Sequence, residues 1–253
     1  MAIFITGDTH GDFSRLAEGA SPALDGLSKE DFLIICGDFG GLWRGDSRER
    51  KRLNRLDARP FTTLFVDGNH ENFDLLARYP TEEWRGGLVQ RICPSVLRLT
   101  RGQMFELEGK KFFVMGGARS HDIQDGILER SQLMEGDLER LRHEGAQVRV
   151  NHVSWWRQEL PSQEEYRRAR QTLEENGWQA DYIVTHCAPS SVQQALFRGY
   201  APDELTDFLE EARQKCRFTT WFFGHYHQDG GGDDPRYEPL YEKIVKLTGE
   251  EKR

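Results

Sequence analysis

None of the four cysteines, Cys36, Cys93, Cys187 and Cys216, lies in a CxxC pair or in any other short spacing. That excludes a dense disulfide framework and a thiolate zinc site, and it suits a reducing compartment. No apolar run approaches the roughly 20 residues that a membrane span requires. The opening MAIFITGDTHGD meets charged residues too early for a signal peptide. No internal repeat or low-complexity linker is present; residues 229–235, with three glycines in a row, read as a loop. Positive charge is in deficit, with 34 Lys and Arg against 42 Asp and Glu and a net charge of −8. Such a balance argues against a surface that coats nucleic acid. It does not exclude a phosphorylated substrate, because bound cations reverse the potential inside a cleft. A cytoplasmic location with no membrane partner is expected, and the oligomeric state is not encoded.

What is present is 253 residues, 37% of them hydrophobic, with 15 Phe, 7 Tyr and 6 Trp. A chain of this length buries a core without covalent staples. Six short runs, 2–6, 32–36, 62–66, 111–115, 181–185 and 219–223, are almost continuously apolar and rich in Ile, Val, Phe or Thr. They read as strands buried on both faces. Weaker strands are expected at 96–99 and 104–107, the two forming an antiparallel meander with 111–115, and an edge strand at 241–247. Amphipathic helices are expected at 47–57, 131–143, 162–176 and 202–216. Strands alternating with helices indicate a layered α/β fold.

The chemistry follows the strands. Residues 2–6 run into Gly7-Asp8-Thr9-His10-Gly11-Asp12, 32–36 into Gly37-Asp38, and 62–66 into Asp67-Gly68-Asn69-His70-Glu71. Residues 181–185 end on His186-Cys187-Ala188-Pro189, and 219–223 on Gly224-His225-Tyr226-His227. Open α/β sheets form their binding crevices at the carboxyl ends of strands. Asp8/His10 and His225/His227 are i, i+2 pairs, so in extended chain each pair points one way into one pocket. Three oxygen and four imidazole donors suit Mn, Fe, Zn or Ni, and seven ligands exceed one tetrahedral structural zinc. They suit two cations about 3.5–4 Å apart sharing a carboxylate and a hydroxide.

Taken singly, each motif has an ordinary explanation. Asp8, Asp38 and Asn69 are common turn residues after a strand, and His186 alone would be a hydrogen-bonded core histidine. The order and number of the motifs decide otherwise. GDTHG at 7–11, GD at 37–38, GNHE at 68–71, THCAP at 185–189 and GHYH at 224–227 resemble the calcineurin-like metallophosphoesterase superfamily. They span nearly the whole chain, so 1–253 is read as a single domain of that type. The resemblance implies a four-layer sandwich of two mixed sheets packed face to face and flanked by helices.

It also implies roles. Asp8, His10 and His227 would hold one metal, Asn69, His186 and His225 the other, and Asp38 would bridge them. His70 would be the general acid for the departing alkoxide, or would orient it. The reaction would be hydrolysis of a phosphomonoester or phosphodiester, nucleotides included, by in-line attack of a hydroxide bridging the two divalent cations, manganese being favoured. A nuclease of the same superfamily and a non-catalytic metal-binding interaction protein on the same fold are the alternatives.

Departures from subfamilies narrow the substrate. After Gly37-Asp38 the chain reads Phe-Gly-Gly-Leu-Trp-Arg, without the Asp-Arg pair of protein phosphatases and diadenosine-tetraphosphate hydrolases. Arg44 or Arg48 is the available substitute. Asp8 stands where lariat-debranching enzymes carry Cys, so the ordinary two-metal form is expected. The segment 113–122, ending Arg119-Ser120-His121-Asp122, and the Trp155-Trp156 pair are similar to those of bacterial and phage-type members. Because Arg119-Ser120-His121-Asp122 follows a strand ending in Gly116-Gly117, Arg119 or His121 is a candidate for the rim of the site. His143 reads as solvated and His152 as structural. Trp43, Trp155 and Trp156 offer faces for a nucleobase, but packing is the commoner use and is expected here. The basic runs at 48–52 and 166–170 read as solvated helix faces.

Overall fold

The computed structural model describes residues 1–247. In chain order the strands are β1 (Ile3–Thr6), β2 (Phe32–Ile35), β3 (Thr62–Phe65), β4 (Thr81–Trp84), β5 (Gly87–Cys93), β6 (Val96–Leu99), β7 (Gln103–Leu107) and β8 (Lys110–Met115). They continue with β9 (Gly126–Leu128), β10 (Val148–Val150), β11 (Tyr182–Thr185), β12 (Thr220–Phe223), β13 (Tyr237–Pro239) and β14 (Ile244–Leu247). The α-helices are α1 (Pro22–Asp25), α2 (Ser47–Asp57), α3 (Phe73–Leu76), α4 (Asp137–His143), α5 (Gln163–Glu175), α6 (Ser190–Leu196) and α7 (Glu204–Lys215).

The strands build two large sheets, ordered β14-β1-β2-β3-β6-β5-β4 and β13-β12-β11-β8-β7. In the first, β1, β2, β3 and β6 run parallel, while β14, β5 and β4 are antiparallel to their neighbours. In the second, β8, β11, β12 and β13 run parallel and β7 closes the edge antiparallel. Side chains alternate as a pleated strand requires. Ile3, Ile5, Phe32 and Ile34 from the first sheet meet Phe112, Val114, Tyr182 and Phe222 from the second in one inter-sheet layer. Between them, Phe4, Leu33 and Ile35 face the other way, toward Leu53, Leu56 and Leu76 of α2 and α3. On the far side Phe113 and Ile183 pack against Tyr166, Ala169, Leu205 and Phe208 of α5 and α7. The result is helix, sheet, sheet, helix, with the continuous apolar runs explained by cover on both faces.

Local chemistry fixes the helix starts. Asp46 accepts the N–H groups of Arg48 and Glu49 ahead of α2, Ser162 and Glu165 form a capping box on α5, and Asp203 caps α7.

Three expectations differ from the structure. The meander of 96–99, 104–107 and 111–115 is split between sheets. β6 lies between β3 and β5 in the first sheet, and only β7 and β8 form a hairpin in the second. The chain changes sheets at residues 100–102, where Arg101 is buried rather than on a surface turn. The helix expected at 131–143 is confined to α4, because Asp137 accepts the Met134 N–H and folds the chain just before it. The hairpin β4–β5 went unread because its first strand, Thr-Glu-Glu-Trp, is largely exposed and charged. The edge strand expected at 241–247 is β14, over its last four residues.

Candidate metal centre

β1, β2 and β3 are parallel neighbours, as are β11 and β12, so the loops after them collect at one edge of the sandwich. The first sheet brings Asp8, His10, Asp38, Asn69 and His70; the second brings His186, His225 and His227. The two halves touch directly. Both carboxylate oxygens of Asp8 accept the His225 N–H, at 3.0 and 3.2 Å. Asp38 Oδ1 lies 3.3 Å from His186 Nε2 and accepts the His70 N–H at 2.7 Å. Its Oδ2 is 3.8 Å from His10 Nδ1, so Asp38 faces histidines of both sheets. Such approach demands bare backbone beside each carboxylate. A Cβ on Gly68 would sit 2.0 Å from Asp38 Oδ1, and one on Gly224 would sit 2.0 Å from Asp8 Oδ1.

The i, i+2 pairs do not act as extended chain. His10, Asp38, His225 and His227 all have positive φ, between 45° and 71°. These are left-handed turns, which cost non-glycine residues energy and concentrate where function requires a side chain aimed off the regular path. His225 and His227 therefore point apart. His227 Nε2 lies 3.0 Å from His10 Nε2 and 3.3 Å from Asp8 Oδ2. His225 instead meets His186 edge to face, with centroids 4.9 Å apart, and its Nε2 is 2.6 Å from His121 Nε2.

Two compact donor groups result, Asp8 with His10 and His227, and Asp8 with Asp38 and His186; within each, the ligand atoms lie within 4.8 Å of one another. Asn69 Oδ1 adjoins the second group, 3.2 Å from His186 Nε2. Carboxylate, amide and imidazole donors gathered without thiolate are what a borderline or hard divalent cation takes. The residues present fit such ions.

The electrostatics are those of a buried charged cluster. Burial opposes ionisation of Asp38, but His186, with His70 and His10, holds its carboxyl well below the usual range. Burial lowers His186 while Asp38 and Asp8 raise it, to about 9. His225 is pushed well below the ordinary histidine value by burial and by His186 and His121. His121 falls to about 4, chiefly through burial. Burial also lowers His70, against the pull of Asp38. The hydrogen bond to Asp8 raises His227.

A supporting shell holds these groups, as it does in metal sites generally. His186 Nδ1 bonds the Cys36 carbonyl oxygen at 2.8 Å, which turns Nε2 toward Asp38 and Asn69. Glu71, fully buried, accepts the N–H groups of Phe39 and Gly40 and so fixes the loop that carries Asp38. Burial, with Asp38 and Asp67 nearby, raises its carboxyl to about 8. Asp67 receives two arginines, Arg98 on Oδ1 at 2.7 Å and Arg101 on Oδ2 at 2.5 Å. Asn69 Nδ2 donates to Ser120 Oγ, which donates to Glu159 Oε2. Sequence reasoning missed Asp67, Glu71, Ser120 and Glu159 as site supports. Asp67 and Glu71 were legible as acids flanking Gly68-Asn69-His70, but Glu159 lies in an irregular segment with no motif.

Of the rim candidates, Arg44 lines a groove together with His10 and His70. His121 lines a small hollow with Asp38, Asn69, His70 and His225. Arg119 is exposed and lines neither. His152 binds Asp74 at 2.8 Å, and Asp74 also accepts the Trp156 ring N–H. Trp156 is buried and meets the half-buried Trp43 edge to face, centroids 5.4 Å apart.

Two lariat debranching enzymes are similar over part of the chain. The one from Caenorhabditis briggsae is 23% identical over 157 residues, 56% of this chain and 29% of that protein. The one from Danio rerio is 25% identical over 146 residues, 51% of this chain and 24% of that protein. The matched stretch thus spans less than a third of either relative. Among solved structures, a phosphopantetheinyl hydrolase from Mycobacterium tuberculosis aligns over 95% of this chain and 90% of its own, at 15% identity and a TM-score of 0.44. A Staphylococcus aureus protein described as a putative 5′-nucleotidase aligns over 98% of this chain and 50% of its own, with the same identity and TM-score. The model of the calcineurin-like phosphoesterases matches residues 1–229, from the first strand through the paired histidines of the last motif. With the five strand-end motifs gathered at one edge of the sandwich, the chain belongs to the calcineurin-like phosphoesterase family.

Proposed function

We propose that this protein hydrolyses a phosphate ester with two divalent cations seated in the cluster at the strand ends. Asp8, His10 and His227 would hold one cation, Asn69, His186 and His225 the other, and Asp38 would lie between them. The observation that carries the reading is the meeting of two sheets at Asp8, Asp38 and His186, where donor atoms from residues 178 positions apart (8 and 186) crowd within 4.8 Å. Bound cations would activate water near neutral pH and offset the charge that builds on the phosphoryl oxygens. The chain's own residues do the rest. The shell of Cys36, Ser120, Glu159 and Glu71 holds the donors in place before any ligand arrives. His70, tied through its backbone N–H to Asp38 and reaching both the groove and the hollow, is placed to hand a proton to the departing oxygen.

Manganese is the favoured native ion, and mono- and diesters are both open. No helix among the described residues is long and apolar enough to cross a membrane. All four cysteines are free thiols, which supports a reducing, cytoplasmic setting.

The test is metal analysis of purified protein together with turnover of bis(p-nitrophenyl) phosphate in added manganese. About two ions per chain and metal-dependent release of nitrophenol are expected. A folded, loaded protein inactive on every ester supplied would instead support the interaction-protein alternative.

A further inference from the structure

The groove beside His10 and His70 encloses about 590 Å³, and its outer wall is built by Trp43, Arg44, Arg48 and Arg52. Two carboxylates share this wall, but both are committed to backbone. Glu49, buried, accepts the N–H groups of Trp43, Arg44 and Gly45 at 3.1, 2.8 and 2.7 Å. Asp46 accepts the N–H groups of Arg48 and Glu49 at the start of α2. Arg52 is partly held, donating to the Gly11 carbonyl oxygen at 3.2 Å with Glu49 at 3.8 Å. Among the described residues the guanidiniums of Arg44 and Arg48 donate no hydrogen bond and form no ion pair. Asp46 is near enough to feel both charges. Three guanidiniums still face two carboxylates, on a chain whose net charge is −8.

Arg44, Arg48 and Arg52 are exposed, so their guanidiniums are open to a ligand in the groove, and planar guanidinium groups match phosphate oxygens in a two-point fork. Their place is also specific. They line the same groove as His70, the residue proposed to protonate the departing oxygen, and lie outside the compact donor groups of acids and histidines. We infer that this groove is a second anion subsite, and that the substrate is an ester whose leaving group itself carries a further phosphate. The inference rests on the phosphoesterase reading for the position of the scissile phosphate, and it adds the chemical class of what is attached to it.

The experiment uses full-length protein loaded with manganese and two nucleotides that differ only in the second phosphate, adenosine 3′,5′-bisphosphate and adenosine 3′-monophosphate. Any stacking of the base on Trp43 is common to both and cancels. Calorimetric titration is expected to give the bisphosphate an affinity about tenfold higher, a gain typical of charge-assisted phosphate contacts. In the Arg44→Ala/Arg48→Ala variant the advantage should shrink to about twofold or less; an equal loss on both nucleotides would put these arginines on the scissile phosphate instead and overturn the inference. Equal affinities in the native protein overturn the inference, as does an advantage that survives in the variant. Turnover of bis(p-nitrophenyl) phosphate, measured on the same samples, separates the two ideas. An active enzyme with equal affinities loses the subsite and keeps the phosphoesterase reading. An inactive protein that keeps an arginine-dependent preference loses the reading and keeps the subsite.

Discussion

Asn69 and Ser120, 51 residues apart, are joined by a hydrogen bond from the Asn69 amide nitrogen to the Ser120 hydroxyl at 3.3 Å. That bond settles which end of the amide looks into the site. With Nδ2 turned outward, Oδ1 faces His186 at 3.2 Å. Ser120 is itself clamped by Glu159, which accepts its hydroxyl at 2.5 Å and its N–H at 3.1 Å. Removing the clamp should loosen the oxygen donor without removing it. Glu159→Gln and Ser120→Ala are each expected to weaken binding of the more loosely held cation by about 10- to 100-fold. The double variant should be little worse than either single one, because all three groups form one chain. Titration with manganese measures this directly; additive losses would show that the two residues act separately.

Asp38 faces histidines of both sheets, as Asp8 does, and in the proposed assignment it lies between the two cations. Asp38→Ala is expected to abolish ester hydrolysis and to lower bound metal well below two ions per chain. Elemental analysis after gel filtration checks it. Retention of both ions would move the bridging role elsewhere, with Asp8, common to both compact groups, the first candidate.

His70 has a separable part. His70→Ala should leave metal content unchanged while slowing hydrolysis by about 10²- to 10⁴-fold on esters with poor leaving groups. Esters of nitrophenol, whose oxygen departs without a proton, should be slowed far less. Equal slowing of both classes would remove proton donation from its role.

Asp67 makes a prediction about stability. Its carboxylate is fully buried and is the shared partner of Arg98 and Arg101, of which Arg101 is also buried. Asp67→Asn leaves a buried guanidinium uncompensated, and a loss of about 3–5 kcal/mol is expected. Urea unfolding monitored by circular dichroism reads it. A loss below about 1 kcal/mol would mean that water or Glu165, 3.6 Å from Arg101, takes over the charge.

The parts legible in sequence were those written in local pattern. Strands such as Phe32–Ile35 announce themselves because cover on both faces leaves no room for a polar residue. The helix over Glu204–Lys215 shows itself likewise, with Leu205, Phe208, Leu209 and Ala212 on one face. The gathering of acids and histidines at one sheet edge was legible because each of them follows such a strand. What was not legible depends on distant partners. Whether 96–99 joins 104–107 or 62–65 is settled by the burial of Arg101 against Asp67, and neither residue signals the other along the chain. The direction of His225 is likewise invisible from its spacing to His227. A positive φ at both histidines sends one ring to His121 and the other to His10.

The bond from the His225 N–H to Asp8 joins positions 217 residues apart. A nascent chain therefore holds an open cluster of acids and histidines until residue 225 has emerged and β12 has docked beside β11. Early capture of a cation by Asp8 and Asp38 alone would be weak and readily reversed. The seat proposed for the cations therefore cannot close before residues 225–227 have been made, however early Asp8 and Asp38 are in place.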